Sequence, residues 1–336
     1  MRKLVTIQKV KNILPIENSD FIELVEIMGW KCVVKKGEFN IGDFGIYFEV
    51  DSFLPITEKF EFLRNNSYTK NEIMGEGFRI KTAKLRGKVS QGLFLPLKDF
   101  PECGQLAEGT EVTELLGVKK WQMPEVEGAA GIEIGDKPYG IPTTDEIRAQ
   151  SDQKLIDDLT DKSYYITTKM DGTSCTIYFN NGRAGVCGRN KEYKETDTSS
   201  YWKLANMYKI PEKLTELGKN IALQGEFCGE KIQKNRLKLQ KPKFFIFNVY
   251  DIDTATYYNY KDFKDIISHL GLEAVPMEEE GENFNYSLDE LLEKAKGKYP
   301  SGLDKEGIVI RSQSITENGK FLSFKVINND FLLKEK

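Results

Sequence analysis

Between Lys3 and Val118, apolar side chains recur in short runs: LVTIQKV, FIELVEIMGWKCVV, GIYFEV, RIKTAKLRG and GLFLPL. Each is rich in β-branched or aromatic residues and is punctuated by Gly, Asn or Asp, a pattern that predicts strands. Several short strands at such spacing predict a small β-barrel, with the OB-fold among the candidates. From Met123 to Pro142 the pattern stops. The stretch MPEVEGAAGIEIGDKPYGIP is dense in Gly and Pro and holds no period, which predicts a linker.

Past that break the period changes. TTDEIRAQSDQKLIDDL places Thr143 and Thr144 as helix N-cap candidates, with Ile147 and Leu155 at helix-compatible positions, and the strand-like YYITTKM follows. Strand runs (TSCTIYF, IALQGEF, FFIFNVYDI, EGIVIR, LSFKVI) then alternate with helical segments (SYWKLANMYKIPEKLTELG, YKDFKDIISHLG, SLDELLEKAKGK). This mixture predicts an α+β domain of largely antiparallel sheets with flanking helices. The acidic run Glu278 to Glu280 reads as a solvated loop.

Composition narrows the class. A chain of 336 residues, 40% hydrophobic, suits about two domains. With 48 basic and 52 acidic residues, no whole-chain excess of positive charge announces a nucleic-acid partner, so any binding surface must be a local patch. RIKTAKLRGK and KIQKNRLKLQKPK are the stretches that stand out. Five scattered cysteines without a C-x-x-C spacing argue against a disulfide framework and against cysteine-ligated zinc. The N-terminus lacks an apolar h-region and no 18-residue apolar run follows, so the expectation is a soluble intracellular protein, cytoplasmic or nuclear, with no membrane partner. The sole histidine, His269, falls near a predicted helix end, where the terminus itself explains it, so histidine acid–base or zinc chemistry is not expected.

The candidate chemistry centres on Lys169-Met170-Asp171-Gly172. A lysine attacks only as the neutral amine, so it needs a neighbouring cation or metal to depress its pKa, and an acid two residues on can help hold that metal. The tetrapeptide alone is weak. Behind it, in order, come Gly188-Arg189-Asn190, Gln224-Gly225-Glu226-Phe227, Phe244 to Asp251, Glu306-Gly307-Ile308-Val309-Ile310-Arg311, and Ser323-Phe324-Lys325.

This series resembles the covalent nucleotidyltransferase superfamily of ATP-dependent ligases and mRNA capping enzymes over roughly residues 143 to 330. GWKCVVKKGEFNIGDFGIYFEVDSFLP and LRGKVSQGLFLPL look like the OB domain that precedes the transferase domain in family 5 RNA ligases. The resemblance implies an OB-fold domain over 1–120, a linker over 121–142 and an ATP-grasp-like nucleotidyltransferase domain over 143–336. It further implies that Lys169 carries AMP as a phosphoramidate, and that Asp171 and Glu306 engage Mg²⁺ or Mn²⁺ mainly through its waters. Arg189 and Glu226 would contact the ribose, Phe247 would stack on adenine, and Lys325 would contact the α-phosphate. Arg148, in PTTDEIRAQ, would bind a 5′-phosphate or a nucleotide phosphate. The family motif carries a lysine where this chain has Ser323, which raises Lys320 as a substitute. The implied activity is ATP-dependent joining of 3′-hydroxyl and 5′-phosphate ends by a monomer acting on nicked, RNA-containing duplexes. A capping guanylyltransferase, a DNA ligase and a non-catalytic RNA-binding protein are the alternatives that the residues leave open.

Overall fold

The computed structural model describes residues 3–104, 106–122 and 131–334, so residues 123–130 of the stretch read as a linker lie outside the described part. The chain divides into two units. One is Met1–Glu125 with Gln150–Gln153 and Leu332–Lys336; the other is Val126–Ala149 with Lys154–Phe331.

The first unit is built of short antiparallel strands. Phe44–Phe48 is the central strand of a three-stranded sheet, flanked by Val5–Lys9 and Leu93–Pro96. Its unbroken apolar run is explained by burial on both faces. Ile46 and Phe48 pack with Val5, Ile7, Leu54 and Phe78, whereas Tyr47 packs with Trp30, Cys32 and Phe94. Three further groups complete the unit. Asn12–Pro15, Ile22–Ile27 and Trp30–Lys35 form one sheet; Lys119–Lys120, Ser52–Leu54, Gly75–Arg79 and Tyr68–Asn71 form another; Thr82–Leu85 and Lys88–Gln91 make a hairpin.

Two antiparallel sheets carry the second unit. The larger has seven strands, in the order Glu133–Asp136, Lys191–Tyr193, Arg183–Cys187, Thr173–Asn180, Ile221–Cys228, Lys243–Asp251 and Thr256–Tyr257. Its first strand comes from within the segment read as a linker. The smaller runs Met277–Gly281, Tyr164–Lys169, Gly307–Ile315, Phe321–Ile327. Each sheet buries one face under helices. Cys175, Ile177, Leu223 and Ile246 of the larger sheet pack with Leu204, Ile210, Leu214 and Ile267 from helical segments. Ile166, Ile308, Ile310 and Phe324 of the smaller one pack with Ile156, Leu159 and Leu291. Side-chain alternation along each strand leaves the intervening residues for the other face, where the polar groups gather.

Three expectations change. Thr143 and Thr144 do not open a helix: residues 142–147 are irregular and the α-helix begins only at Gln153–Leu159. Contacts to both sheets hold that segment, and they outweigh its helical propensity. The expected long helix from Ser200 is two, Ser200–Met207 and Ile210–Leu217, because Pro211 cannot continue a helix and Lys209 before the second adopts a left-handed φ of 53°. The acidic run is a strand, Met277–Gly281, paired with Tyr164–Thr167. Its charges are satisfied locally: Glu278 by Lys305 and Thr168, Glu279 by Tyr164, Tyr286 and Lys294, and Glu280 by Tyr260.

His269 sits in the last turn of the helix Tyr260–His269, which Asn259 caps at its start by accepting from the Asp262 N–H. Buried Tyr260, Phe263 and Ile267 fall at helical spacing and turn this helix to the core.

Candidate active site

Lys169 ends the strand Tyr164–Lys169, directly opposite Gly307 of the neighbouring strand. That pairing brings Glu306, one residue before Gly307, to the lysine: Lys169 Nζ lies 2.7 Å from Glu306 Oε2. Both side chains are only about one fifth exposed, 22% and 19%, so solvent ions screen the pair less than they would an exposed one. Gly307 is required here by space and by conformation. Its φ is +150°, and a Cβ would lie 2.1 Å from the Val326 carbonyl oxygen. Gly172 answers to the same constraint on the other side, where a Cβ would lie 2.4 Å from the Phe227 carbonyl oxygen, beside the strand that carries Glu226. The glycines of KMDG and EGIVIR therefore let strands close around Lys169, Glu226 and Glu306.

Charge at this point is concentrated. Burial disfavours the lysine ammonium, but the nearby Glu306, Glu226 and Asp171 carboxylates outweigh it and hold the Lys169 pKa above its ordinary 10.5. Glu226 is pushed up to about 7, chiefly by burial, against the pull of Lys169 and with the repulsion of Glu306 added. In the ligand-free protein the nucleophile candidate is thus a cation, and one carboxyl beside it is poised to titrate near neutrality.

A tyrosine that the sequence did not advertise ties the two halves of this pair together. Tyr299 donates its hydroxyl to the Lys169 carbonyl oxygen at 2.6 Å and accepts from the Glu306 N–H at 3.1 Å. Burial raises its pKa, so the hydroxyl stays a donor. Asp171 is ion-paired to Arg236, Nε to Oδ2 at 3.4 Å, and the Arg236 guanidinium stacks 3.9 Å from the Phe331 ring centroid. Arg236 lies in the basic stretch KIQKNRLKLQKPK, so part of that stretch serves this site.

The remaining candidates surround the same point. Glu226 pairs with Ser174 across the larger sheet. Arg189 follows the strand Arg183–Cys187, is exposed, and meets Asp145 at 2.9 Å, while remaining near enough to Glu226 to lower its pKa. Phe247 occupies a bulge in Lys243–Asp251, the extra residue between the Gln224–Asn248 and Gly225–Ile246 pairs. Its ring lies 5.5 Å from the guanidinium of Arg311, which belongs to the smaller sheet, so the two sheets meet there.

Lys325 pairs with Val309 in the smaller sheet, and its N–H donates to the Ile147 carbonyl, which docks Arg148 beside it through a parallel bridge. Arg148 is buried. Ser323, where a lysine was anticipated, donates to Glu146, and Glu146 also accepts from buried Arg311 at 2.8 Å. Lys320 stands at the far end of the hairpin, exposed beyond the Ile315–Phe321 pair. Arg311 and Glu146 lie within the EGIVIR and PTTDEIRAQ segments, where nothing local distinguishes them. Their roles depend on a contact between segments 165 residues apart.

Could this set hold a divalent metal? Asp171, Glu226 and Glu306 gather around one ammonium and offer oxygen donors only, which suits a hard ion such as Mg²⁺ or Mn²⁺. Among the described residues no three His, Cys, Asp or Glu side chains are grouped to ligate an ion directly. The residues therefore fit an ion held largely through its own waters.

A model of an OB-fold domain matches residues 4–97, and a model of the RNA ligase family matches residues 162–327. The structure of the Naegleria gruberi RNA ligase with pyrophosphate is 38% identical, with a TM-score of 0.93 over 100% of this chain and 99% of that one. Variants of the same Naegleria enzyme, one with ATP and Mn and one with AMP and Mn, match at 38% identity and TM-score 0.93, over 99% of each chain. No curated protein sequence matches. Among the described residues no helix is long and apolar enough to cross a membrane.

Proposed function

The chain belongs to the RNA ligase family and is an ATP-dependent RNA ligase with an N-terminal OB-fold domain, and from that premise we propose how its residues divide the work. Lys169 is the nucleophile. Its Nζ attacks the α-phosphorus of ATP, a P–N bond forms, the bond to pyrophosphate breaks, and AMP is left on the lysine. A 5′-phosphate oxygen of the RNA then attacks that phosphorus, releases the lysine and takes the AMP. Finally the 3′-hydroxyl attacks the activated 5′-phosphate and AMP departs.

The observation that carries this reading is the Lys169–Glu306 pair at 2.7 Å, set beside Glu226 and Asp171. The first step requires a neutral amine, yet the resting pair favours the ammonium. Asp171 and Glu306 would hold Mg²⁺ or Mn²⁺ through its waters, and the bound ion would supply the positive charge that offsets the α-phosphate and favours a neutral Lys169. Tyr299 keeps the Lys169 and Glu306 backbones in register.

Glu226 and Arg189 take the ribose hydroxyls, and Phe247 offers its ring to adenine. Lys325 and Arg148, docked against each other, face the phosphates; with Ser323 committed to Glu146, Arg148 beside Lys325 is assigned the part of the missing lysine. The substrate is a nicked duplex with an RNA 3′-hydroxyl end, sealed by a monomer inside the cell. In support, the nucleophile, both metal carboxylates and the phosphate cations all come from one unit of one chain.

Labelling the protein separately with α-labelled ATP and GTP tests the first step. ATP labelling that disappears in Lys169→Ala is expected, and GTP-only labelling would overturn the reading in favour of a capping enzyme. Sealing assays on nicks with ribose or deoxyribose at either side test the substrate.

A further inference from the structure

The hairpin Thr82–Gln91 stands apart from the buried strands of the first unit. Its residues Ala83 to Lys88 are exposed on both faces, and Leu85 is 43% exposed. Two strands wetted on both sides bury too little to be kept for stability. Only its base is anchored: Ser90 Oγ accepts from the Val33 N–H at 3.0 Å, and the Gln91 carbonyl accepts from Tyr47 at 3.0 Å and from Cys32 at 3.1 Å. Arg86 and Gly87 turn the tip with φ of 47° and 80°, as a two-residue hairpin turn demands. The free part therefore projects about 10 Å, at about 3.3 Å per residue.

Its charge is as unusual as its exposure. From Gly77 to Lys98 the chain has no Asp or Glu and six cations, in a protein whose acids outnumber its bases. Among the described residues no carboxylate pairs with Lys84, Arg86 or Lys88. Lys84 stands opposite Val89 and Lys88 opposite Leu85, so the two lysines occupy different faces of the ribbon, with Arg86 at its end. Three uncompensated cations spread around a narrow tip suit two rows of phosphates on either side of a groove.

We propose that this hairpin is an RNA-gripping finger whose tip lies along the shallow minor groove of an A-form duplex, with Lys84, Arg86 and Lys88 on backbone phosphates. That groove is wide and shallow enough to admit the ribbon, and phosphate contact needs no base sequence. The inference rests on the ligase reading for its substrate, but not on how the two units sit together.

The test uses the full chain with Lys84→Gln, Arg86→Gln and Lys88→Gln combined. The Kd for a nicked RNA duplex, measured by fluorescence anisotropy across a salt series, should rise about tenfold, and the slope of log K against log salt should shrink by about 2 to 3. Lys84→Arg with Lys88→Arg should retain binding. Labelling of Lys169 by ATP without RNA should not change, so a wild type that takes no label would break the ligase reading and leave the finger's own result separate. Unaltered Kd and slope would overturn the proposal, as would an equal loss of affinity for single-stranded RNA or a parallel loss of Lys169 labelling.

Discussion

The first unit and the second both gather cations, and they keep them in opposite ways. Lys169, Arg236 and Arg311 are half-buried or buried, and each is matched to a carboxylate: Glu306, Asp171 and Glu146. Lys84, Arg86 and Lys88 are exposed, with no such partner among the described residues. The difference suits the tasks proposed for the two groups. A reacting amine must sit where dielectric is low and its charge is set by neighbours, because only there can a ligand switch its protonation. A grip on a polyanion works through release of counterions, which needs solvated, uncompensated charge.

The contrast can be broken at either end. The largest effect is expected for Lys169→Ala, which should abolish ATP labelling of the protein, while anisotropy still reports duplex binding through the first unit. Glu306→Gln should lower the adenylylation rate by roughly 100- to 1000-fold, the usual range for loss of an electrostatic contact to a reacting group. If labelling of Glu306→Gln stayed within a few-fold of wild type, the ion pair would be an architectural feature and not part of the chemistry.

Stability should follow burial and not charge. Phe324 is fully buried in the smaller sheet's core, and Phe324→Ala should cost about 3 to 5 kcal/mol in denaturant unfolding. Lys84→Gln, on the exposed finger, should stay within about 0.5 kcal/mol of wild type.

Between those extremes lies Glu226. Its folded pKa of about 7 stands above the ordinary 4.5, so the folded state holds the proton more tightly than the unfolded one. The corresponding stability is fully present below about 4.5 and is lost as pH rises through about 7. Tm of the ligand-free protein should fall over that window, and Glu226→Gln should flatten the fall. The smallest effect is reserved for Lys320→Ala, which should leave ligation unchanged because the hairpin carries Lys320 away from the site. A marked loss there would return Lys320 to the place that Ser323 vacates.

What the sequence determined by itself was whatever repeats along the chain. Periodicity located strands on either side of the break at residues 123–142, and the ordered fragments from Lys169 to Lys325 pointed to one candidate site. Those signals are local, because a strand must alternate and a glycine must stand wherever another strand closes in, as at Gly172 and Gly307. Only the tertiary structure decided the rest. Thr143 and Thr144 look like helix caps, yet the contacts of Glu146 with Arg311 and Ser323 keep their segment irregular. Glu278 to Glu280 look like a solvated loop, yet each acid meets a lysine or tyrosine from elsewhere in the chain. Tyr299 carries no motif at all, and it matters because it bridges the backbones of Lys169 and Glu306, 137 positions apart. Propensity and spacing are properties of neighbours in sequence, whereas charge pairing and hydrogen bonding depend on neighbours in space, and those exist only once the sheets have formed.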